Sequence, residues 1–166
     1  FTDHVGVPMR EGLILVHNTL VGLGLRDRVR IAVAGKIVTA FDLARALALG
    51  ADWCNAARGF MFALGCIQSQ SCHTGKCPTG VATQDPLRQR GLDVEDKATR
   101  VVRFQQNTLK ALKELLEAAG LYHTAELGPE HIIRRLSPFQ VRSMARNYAW
   151  LESGELLSRV PDHPVF

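Results

Sequence analysis

The chain has 166 residues, 46% of them apolar and 22% charged, with a formal net charge of +4. That length and balance suffice for one domain with a sizeable core and exclude a disordered tail. The small positive surplus, without a basic run or aromatic interleaving, excludes a nucleic-acid reader, and no apolar run reaches the roughly 18 to 20 residues of a membrane helix. No secretory leader is recognisable, so a reducing cytoplasm is the expected location.

The sequence opens at Phe1, without a methionine, in the polar stretch Phe1–Pro8, and reads as part of a longer or processed chain. From Pro8 to about Gly24, Leu13, Val16, Leu20 and Leu23 recur at the helical period, with Gly24 as C-cap. Val29–Ala34 is short, apolar and β-branched, and predicts a buried strand. Gly35 and Lys36 turn the chain, and Thr39 with Asp42 predicts a capping box for a helix over Ala40–Leu49, closed by Gly50. Ala51–Ala57 is again strand-like, and Arg58-Gly59 leads into the apolar run Phe60–Leu64.

Helix, strand, helix, strand, helix in this order predicts parallel βα units, whose βα loops fall on one side of the sheet, the side where ligands bind. Further on, Val81–Gly91 reads as turns punctuated by Asp85-Pro86. Asp93 then caps a long helix to Ala119 with a stripe of Val101, Phe104, Thr108, Leu112, Leu115 and Ala119, ended by Gly120. A linker holding Gly128-Pro129 precedes a short helix expected over Glu130–Leu136. Ser137-Pro138-Phe139-Gln140 reads as the N-terminus of a last helix to about Leu151.

Chemistry concentrates in Cys66, Cys72 and Cys77, within Ala63-Leu-Gly-Cys-Ile-Gln-Ser-Gln-Ser-Cys-His-Thr-Gly-Lys-Cys-Pro-Thr-Gly80. Three thiols in a dozen residues of a cytosolic chain point to metal ligands rather than disulfide halves. Thiolates suit zinc or an iron–sulfur cluster. Zinc would require a fourth ligand, locally His73 or Cys54, and lacks its short Cys-x2-Cys knuckle here; three ligands suit a cluster short of one iron. Inert loop thiols are the plainer alternative. Cys54, midway along an apolar strand, reads as a small core residue. His4, His17, His123, His131 and His163 have no spaced partners and read as surface or core residues, and Met9, Met61 and Met144 as packing. Glycines at successive strand ends can cradle a phosphate, with Lys36 or Arg58 to neutralise it, although such glycines also serve as ordinary turns.

The string Ala63–Pro86 resembles the cluster-binding segment of the FMN-binding domain of glutamate synthase. The likeness extends back through Gly22-Leu-Gly-Leu-Arg-Asp-Arg-Val29, Gly35-Lys36 and Leu49-Gly-Ala-Asp52. It continues through Pro129–Arg135 to Gly154–Leu157, where it is similar to the shorter FMN-binding glutamate-synthase-like proteins. It covers essentially the whole chain. The resemblance implies an α/β fold, the C-terminal part of a (β/α)8 TIM barrel. Barrel βα units with the cysteine loop would occupy residues 1–91, a long helix packing on the barrel 92–120, and a helical extension 121–166. It implies FMN with its phosphate on the loops after the last two strands, at Gly35 and Lys36 and at Ala57, Arg58 and Gly59. Cys66, Cys72 and Cys77 match the ligands of the family's 3Fe–4S cluster.

The implied reaction is reduction of 2-iminoglutarate, formed from 2-oxoglutarate and ammonia, to L-glutamate. Electrons would come from ferredoxin or a pyridine-nucleotide-linked subunit; no nucleic acid or membrane is involved, and no catalytic residue is assigned within this chain. Two departures from the family pattern bear on the substrate: Ala34-Gly35-Lys36 replaces Asp-Gly-Gly, and Ala57-Arg58 replaces Gly-Thr. An N-methylglutamate-synthase-like paralogue with another amine donor, another FMN oxidoreductase paralogue, or a non-catalytic metal-stapled module are the competing expectations.

Overall fold

A computed structural model describes residues 5–158; His4, His163 and the opening at Phe1 lie outside the described residues. The architecture is mixed α/β, with more helix than strand. Helix α1 (Met9–Gly22) leads through a 3-10 turn to strand β1 (Ala32–Ala34), helix α2 (Ala40–Ala48) and strand β2 (Trp53–Asn55). The strands pair in parallel, Ala32 beside Trp53 and Ala34 beside Asn55, with α2 as the crossover. Thr39 and Asp42 form the expected capping box: the Thr39 hydroxyl accepts from the Asp42 amide, and the Asp42 carboxylate from the Thr39 amide. Gly24, at φ 65°, terminates the first helix as a left-handed cap, with the Leu25 amide reaching back to the Leu20 carbonyl.

One core lies on the helix side of this two-stranded sheet. Leu13 and Ile14 of α1, Val33 of β1, Ala46, Ala48 and Leu49 of α2, and the later Ile132 and Met144 pack into it. The buried line of α1 runs through Leu13, Ile14, Asn18 and Gly22; Val16, expected inside, is exposed. Asn18 explains the shift. Its side-chain amide donates to the Ala149 carbonyl and its oxygen accepts the Leu151 amide, so a polar clamp fixes the C-terminal segment against α1. The opposite face of the sheet, with Ala32, Ala34, Trp53 and Asn55, is exposed.

The sheet and α1 are fastened at the foot of the strands by Asp52. Its carboxylate accepts from Arg26 (2.9 Å), Arg30 (3.0 Å) and the Ile31 amide (2.6 Å). Arg26 also donates to the Gly50 and Val29 carbonyls and, through Nε, to Nδ1 of His17. Gly50 is required twice over, because its φ is 106° and a Cβ there would enter the His17 ring. The stretches Gly22–Val29 and Leu49–Asp52, noticed in the sequence, are therefore one structural joint.

After β2 the chain forms α3 (Arg58–Ala63), the cysteine loop, a one-turn α4 (Pro86–Gln89) capped by Asp85, and the long α5 (Val94–Ala118) capped by Asp93. α5 packs along α2 and α3 through Phe104, Thr108 and Leu112; its buried line then passes through Leu116, leaving Leu115 and Ala119 exposed.

The C-terminal segment differs from its sequence reading. In place of a helix over Glu130–Leu136 and another from Ser137 to Leu151, there is a 3-10 turn (Pro129–His131) and an antiparallel hairpin, β3 (Ile133–Ser137) and β4 (Gln140–Ser143). One-turn helices α6 (Met144–Asn147) and α7 (Glu155–Ser158) follow. The Ser-Pro pair that resembles a helix start makes the reversal instead, with the Ser137 hydroxyl accepting the Phe139 amide. The hairpin is set by its base, where Ile132 and Met144 are buried together and the Met144 amide donates to the Ile132 carbonyl.

Two outcomes are expected in thermal and urea unfolding of the chain. Asp52→Asn removes the charge on which two guanidiniums and an amide converge, and lowers stability by about 2 kcal/mol; an unchanged midpoint contradicts the joint. His17 has its pKa lowered by burial and by Arg26, which outweigh its contacts to Gly50 and Asp52. The folded chain therefore binds its proton less readily than the unfolded one, so stability falls as pH drops below 6.5. Asp52 and Asp42 have lowered pKa values despite burial, which acts upward: hydrogen bonds from Ile31 and from Thr39, with the neighbouring arginines, prevail. Their contribution is lost only below 3.8. A His17→Gln chain should lose the upper step in a pH series of melts and keep the lower one.

Candidate functional site

Parallel pairing puts both βα loops at one end of the sheet. Gly35 (φ 146°) and Lys36 (φ 54°) follow β1, and both occupy positive φ, which Gly35 adopts freely and Lys36 at a cost of about 1 kcal/mol. Ala57 and Arg58 follow β2. These four residues, with Arg10, Glu11 and Asn55, line one cleft of about 1020 Å³. Arg45 also reaches it but is paired with Asp42 at 2.9 Å. Arg10, Lys36 and Arg58 join it on the wall against Glu11, so cations outnumber acids there. Gly59 is not on its wall. It is buried, and a Cβ there would press on Phe104 at 3.0 Å, so it seats the start of α3 against α5.

A second cavity, of about 460 Å³, adjoins the first and shares Ala57 and Arg58 with it; Met61, Cys66, Gln68, Gln70, Cys72 and His73 complete its wall. Gln68 and Gln70 both have φ 56°, so the short loop between Cys66 and Cys72 holds two non-glycine residues in the left-handed region. Such conformations cost about 1 to 3 kcal/mol each and gather at functional loops.

Cys77 stands apart. It is buried in the turn closed by Gly80, whose φ is 75° and whose Cβ, if present, would collide with the Arg88 carbonyl. The Thr79 hydroxyl, 3.4 Å away, and the backbone amides of Ala82, Thr79 and Val81 hold its thiol pKa down, from 9.0 to about 7. Hydrogen bonds of this kind favour the thiolate, the form that ligates metals. All four cysteines are free. Among the described residues no three His, Cys, Asp or Glu side chains are gathered closely enough to hold a metal ion, so Cys66 and Cys72 share a cavity while Cys77 is held separately. Cys54 packs against the core with its pKa raised by burial, as a core thiol should.

The profile of the conserved region in glutamate synthase matches residues 1–122. The chain belongs to the glutamate synthase family. It is 43% identical over 133 residues to the glutamate synthase large subunit-like protein YerD of Bacillus subtilis, covering 80% of this chain and 25% of that protein. It is 40% identical over 121 residues to the archaeal glutamate synthase (NADPH) of Methanocaldococcus jannaschii, covering 73% and 24% respectively. Against the glutamate synthase (NADPH) large chain of Bacillus subtilis it is 33% identical over 138 residues, 77% of this chain and 9% of that one. The chain thus spans a quarter or less of the curated relatives it matches. Among the described residues no helix is long and apolar enough to cross a membrane.

The Arg26–Asp52 joint was present in the sequence only as two distant matching stretches, and pattern reasoning assigned it no role. The signal that could have found it was Gly50-Ala-Asp52 at a strand start, a glycine followed by an unpaired acid.

In the metal-free chain, alkylation of Cys77 should rise with pH to a midpoint near 7. Thr79→Val should move that midpoint upward, read by mass spectrometry of the Cys77 peptide; an unmoved midpoint contradicts the assigned hydrogen bonds.

Proposed function

We propose that this chain is the C-terminal part of the flavin-binding barrel of a glutamate-synthase-type oxidoreductase that reduces 2-iminoglutarate, formed from 2-oxoglutarate and ammonia, to L-glutamate. One observation carries the reading. The loops after two neighbouring parallel strands line a single cationic cleft, which shares Arg58 with the cavity of Cys66 and Cys72.

The barrel reading is supported by the parallel βα order and by the open sheet face of Ala32, Ala34, Trp53 and Asn55, which a barrel would turn inward against other strands. Phosphate binding is supported by Gly35, which presents bare backbone at the cleft, and by the charges of Lys36 and Arg58. Ala57, small and on the wall of both cavities, leaves room beside them, and Gly59 fixes the origin of Arg58 by packing α3 onto α5. In the cysteine loop the donor set suits a 3Fe–4S cluster: three free thiols, one of them stabilised as thiolate. Cys66, Cys72 and Cys77 would hold it. Bound together, FMN would supply hydride to the imine carbon while the cluster relays electrons from ferredoxin or a pyridine-nucleotide-linked subunit. This chain's share is to position both groups: Arg58 neutralises anionic charge where the two cavities meet, and the backbone of Gly35 and Lys36 shapes the cleft. Four unpaired thiols suit a reducing cytoplasm.

Iron, acid-labile sulfide and electron paramagnetic resonance of the anaerobically purified parent protein test this reading. Iron and sulfide in the cluster's proportion are expected, with the signal lost in Cys72→Ser. Stoichiometric zinc without sulfide would favour a metal-stapled structural module and end the redox assignment. Residues 1–166 alone should bind FMN far more weakly than the parent, since two strands cannot close the barrel.

A further inference from the structure

The family's conserved region stops at residue 122, and the most exposed structure beyond it is the β3–β4 hairpin. From Ile132 to Leu151 the sequence has four arginines, Arg134, Arg135, Arg142 and Arg146, and neither aspartate nor glutamate. The strand register places Arg134 directly opposite Arg142 and Arg135 opposite Val141. Like charges facing across an antiparallel pair oppose the pairing. Among the described residues neither Arg134 nor Arg142 has a side-chain hydrogen bond or ion pair to relieve it, and Arg135 reaches only the Pro138 carbonyl. Apolar side chains flank these cations: Ile133 and Val141 are largely exposed, and Phe139 at the tip is 99% exposed.

The hairpin's base at Ile132 and Met144 is rooted in the core on the helix side of the β1–β2 sheet, away from the open face that a barrel would cover. Among the described residues each of its strands has one edge without a paired strand, and an isolated two-stranded sheet is marginal in water. We propose that the β3–β4 hairpin is a docking surface for another protein, taking an extended segment that alternates acidic with apolar side chains along a free strand edge. Guanidinium forks match carboxylates, arginine mixed with aromatic and aliphatic side chains is the composition of interface centres, and strand addition supplies the missing ladder. A second copy of the chain would offer the acids of its long helix, Glu95, Asp96, Glu114 and Glu117, on a helical surface rather than along an extended strand, and three of them are already paired with lysines. The exposed aliphatic side chains, with one aromatic, fit a polypeptide better than a nucleic acid, which would ask for several stacking rings.

The probe is a labelled synthetic peptide alternating glutamate and valine, titrated with the full chain by fluorescence anisotropy beside a lysine–valine peptide and a single-stranded oligonucleotide. The glutamate–valine peptide should bind, more weakly at high salt, and the lysine–valine peptide should not. R134Q/R142Q should weaken binding by roughly tenfold or more. Equal binding by that variant overturns the proposal. So does an oligonucleotide that binds more tightly with the same arginine dependence. Absence of peptide binding also overturns it, and self-association of R134Q/R142Q in sedimentation would then mean that the arginines serve only to keep strand edges apart. Should the glutamine variant lose its circular dichroism, Phe139→Ser provides the same comparison, because that side chain is fully exposed; undiminished affinity there rejects the surface.

Discussion

Asp52 is the carboxylate on which the rest of this structure depends. Two strands of three residues each cannot hold a sheet by their ladder alone, and β1 and β2 contribute little apolar burial beyond Val33 and Cys54. What aligns them is a charge placed at the foot of β2, reached by Arg26 from the 3-10 turn after α1, by Arg30 from the approach to β1, and by the Ile31 amide just before β1. The Asp52 amide returns a bond to the Ile31 carbonyl, so one residue sets both the register of the sheet and its distance from α1. The Arg26–Asp52 pair is only partly exposed to solvent, which screens it less than a surface pair, whereas Arg30 is largely exposed.

Register at the foot of the strands determines what meets at their other end. Fixed side by side, the strands deliver Gly35-Lys36 and Ala57-Arg58 to one wall of one cleft. The cysteine loop begins after the six residues of α3 and opens onto the same Arg58. Structural joint and chemical site are thus opposite ends of one parallel pair, the arrangement by which open and closed α/β sheets separate stability from function.

Elements whose signals are local were legible in the sequence. The capping box at Thr39 and Asp42, the Asp93 cap of α5, the left-handed glycines and the alternation of βα units all follow from short-range chemistry. The shared wall of Gly35, Lys36, Ala57 and Arg58 was legible as well, because parallel topology alone brings successive strand ends together, whereas Gly59 turned inward toward Phe104. The hairpin was not. Ser137-Pro138 is chemically suited to both a helix start and a tight turn, and only the joint burial of Ile132 and Met144, distant in sequence from the rest of their core, selects the turn. The same holds for the buried side of α1, where Asn18 faces inward because a segment more than a hundred residues away supplies its partners. In the cysteine loop, spacing indicated three ligands, whereas the separate holding of Cys77 by Thr79 and neighbouring amides depends on a turn that spacing does not encode.

The central claim is that the two strand-end loops form a flavin phosphate site adjoining the cysteine cavity through Arg58. Its most direct test is FMN titration of the parent protein with Lys36 and Arg58 both replaced by methionine, followed by flavin fluorescence. Weaker binding by roughly tenfold or more is expected in a variant whose circular dichroism shows it folded. Unchanged FMN affinity in a folded K36M/R58M protein would contradict it.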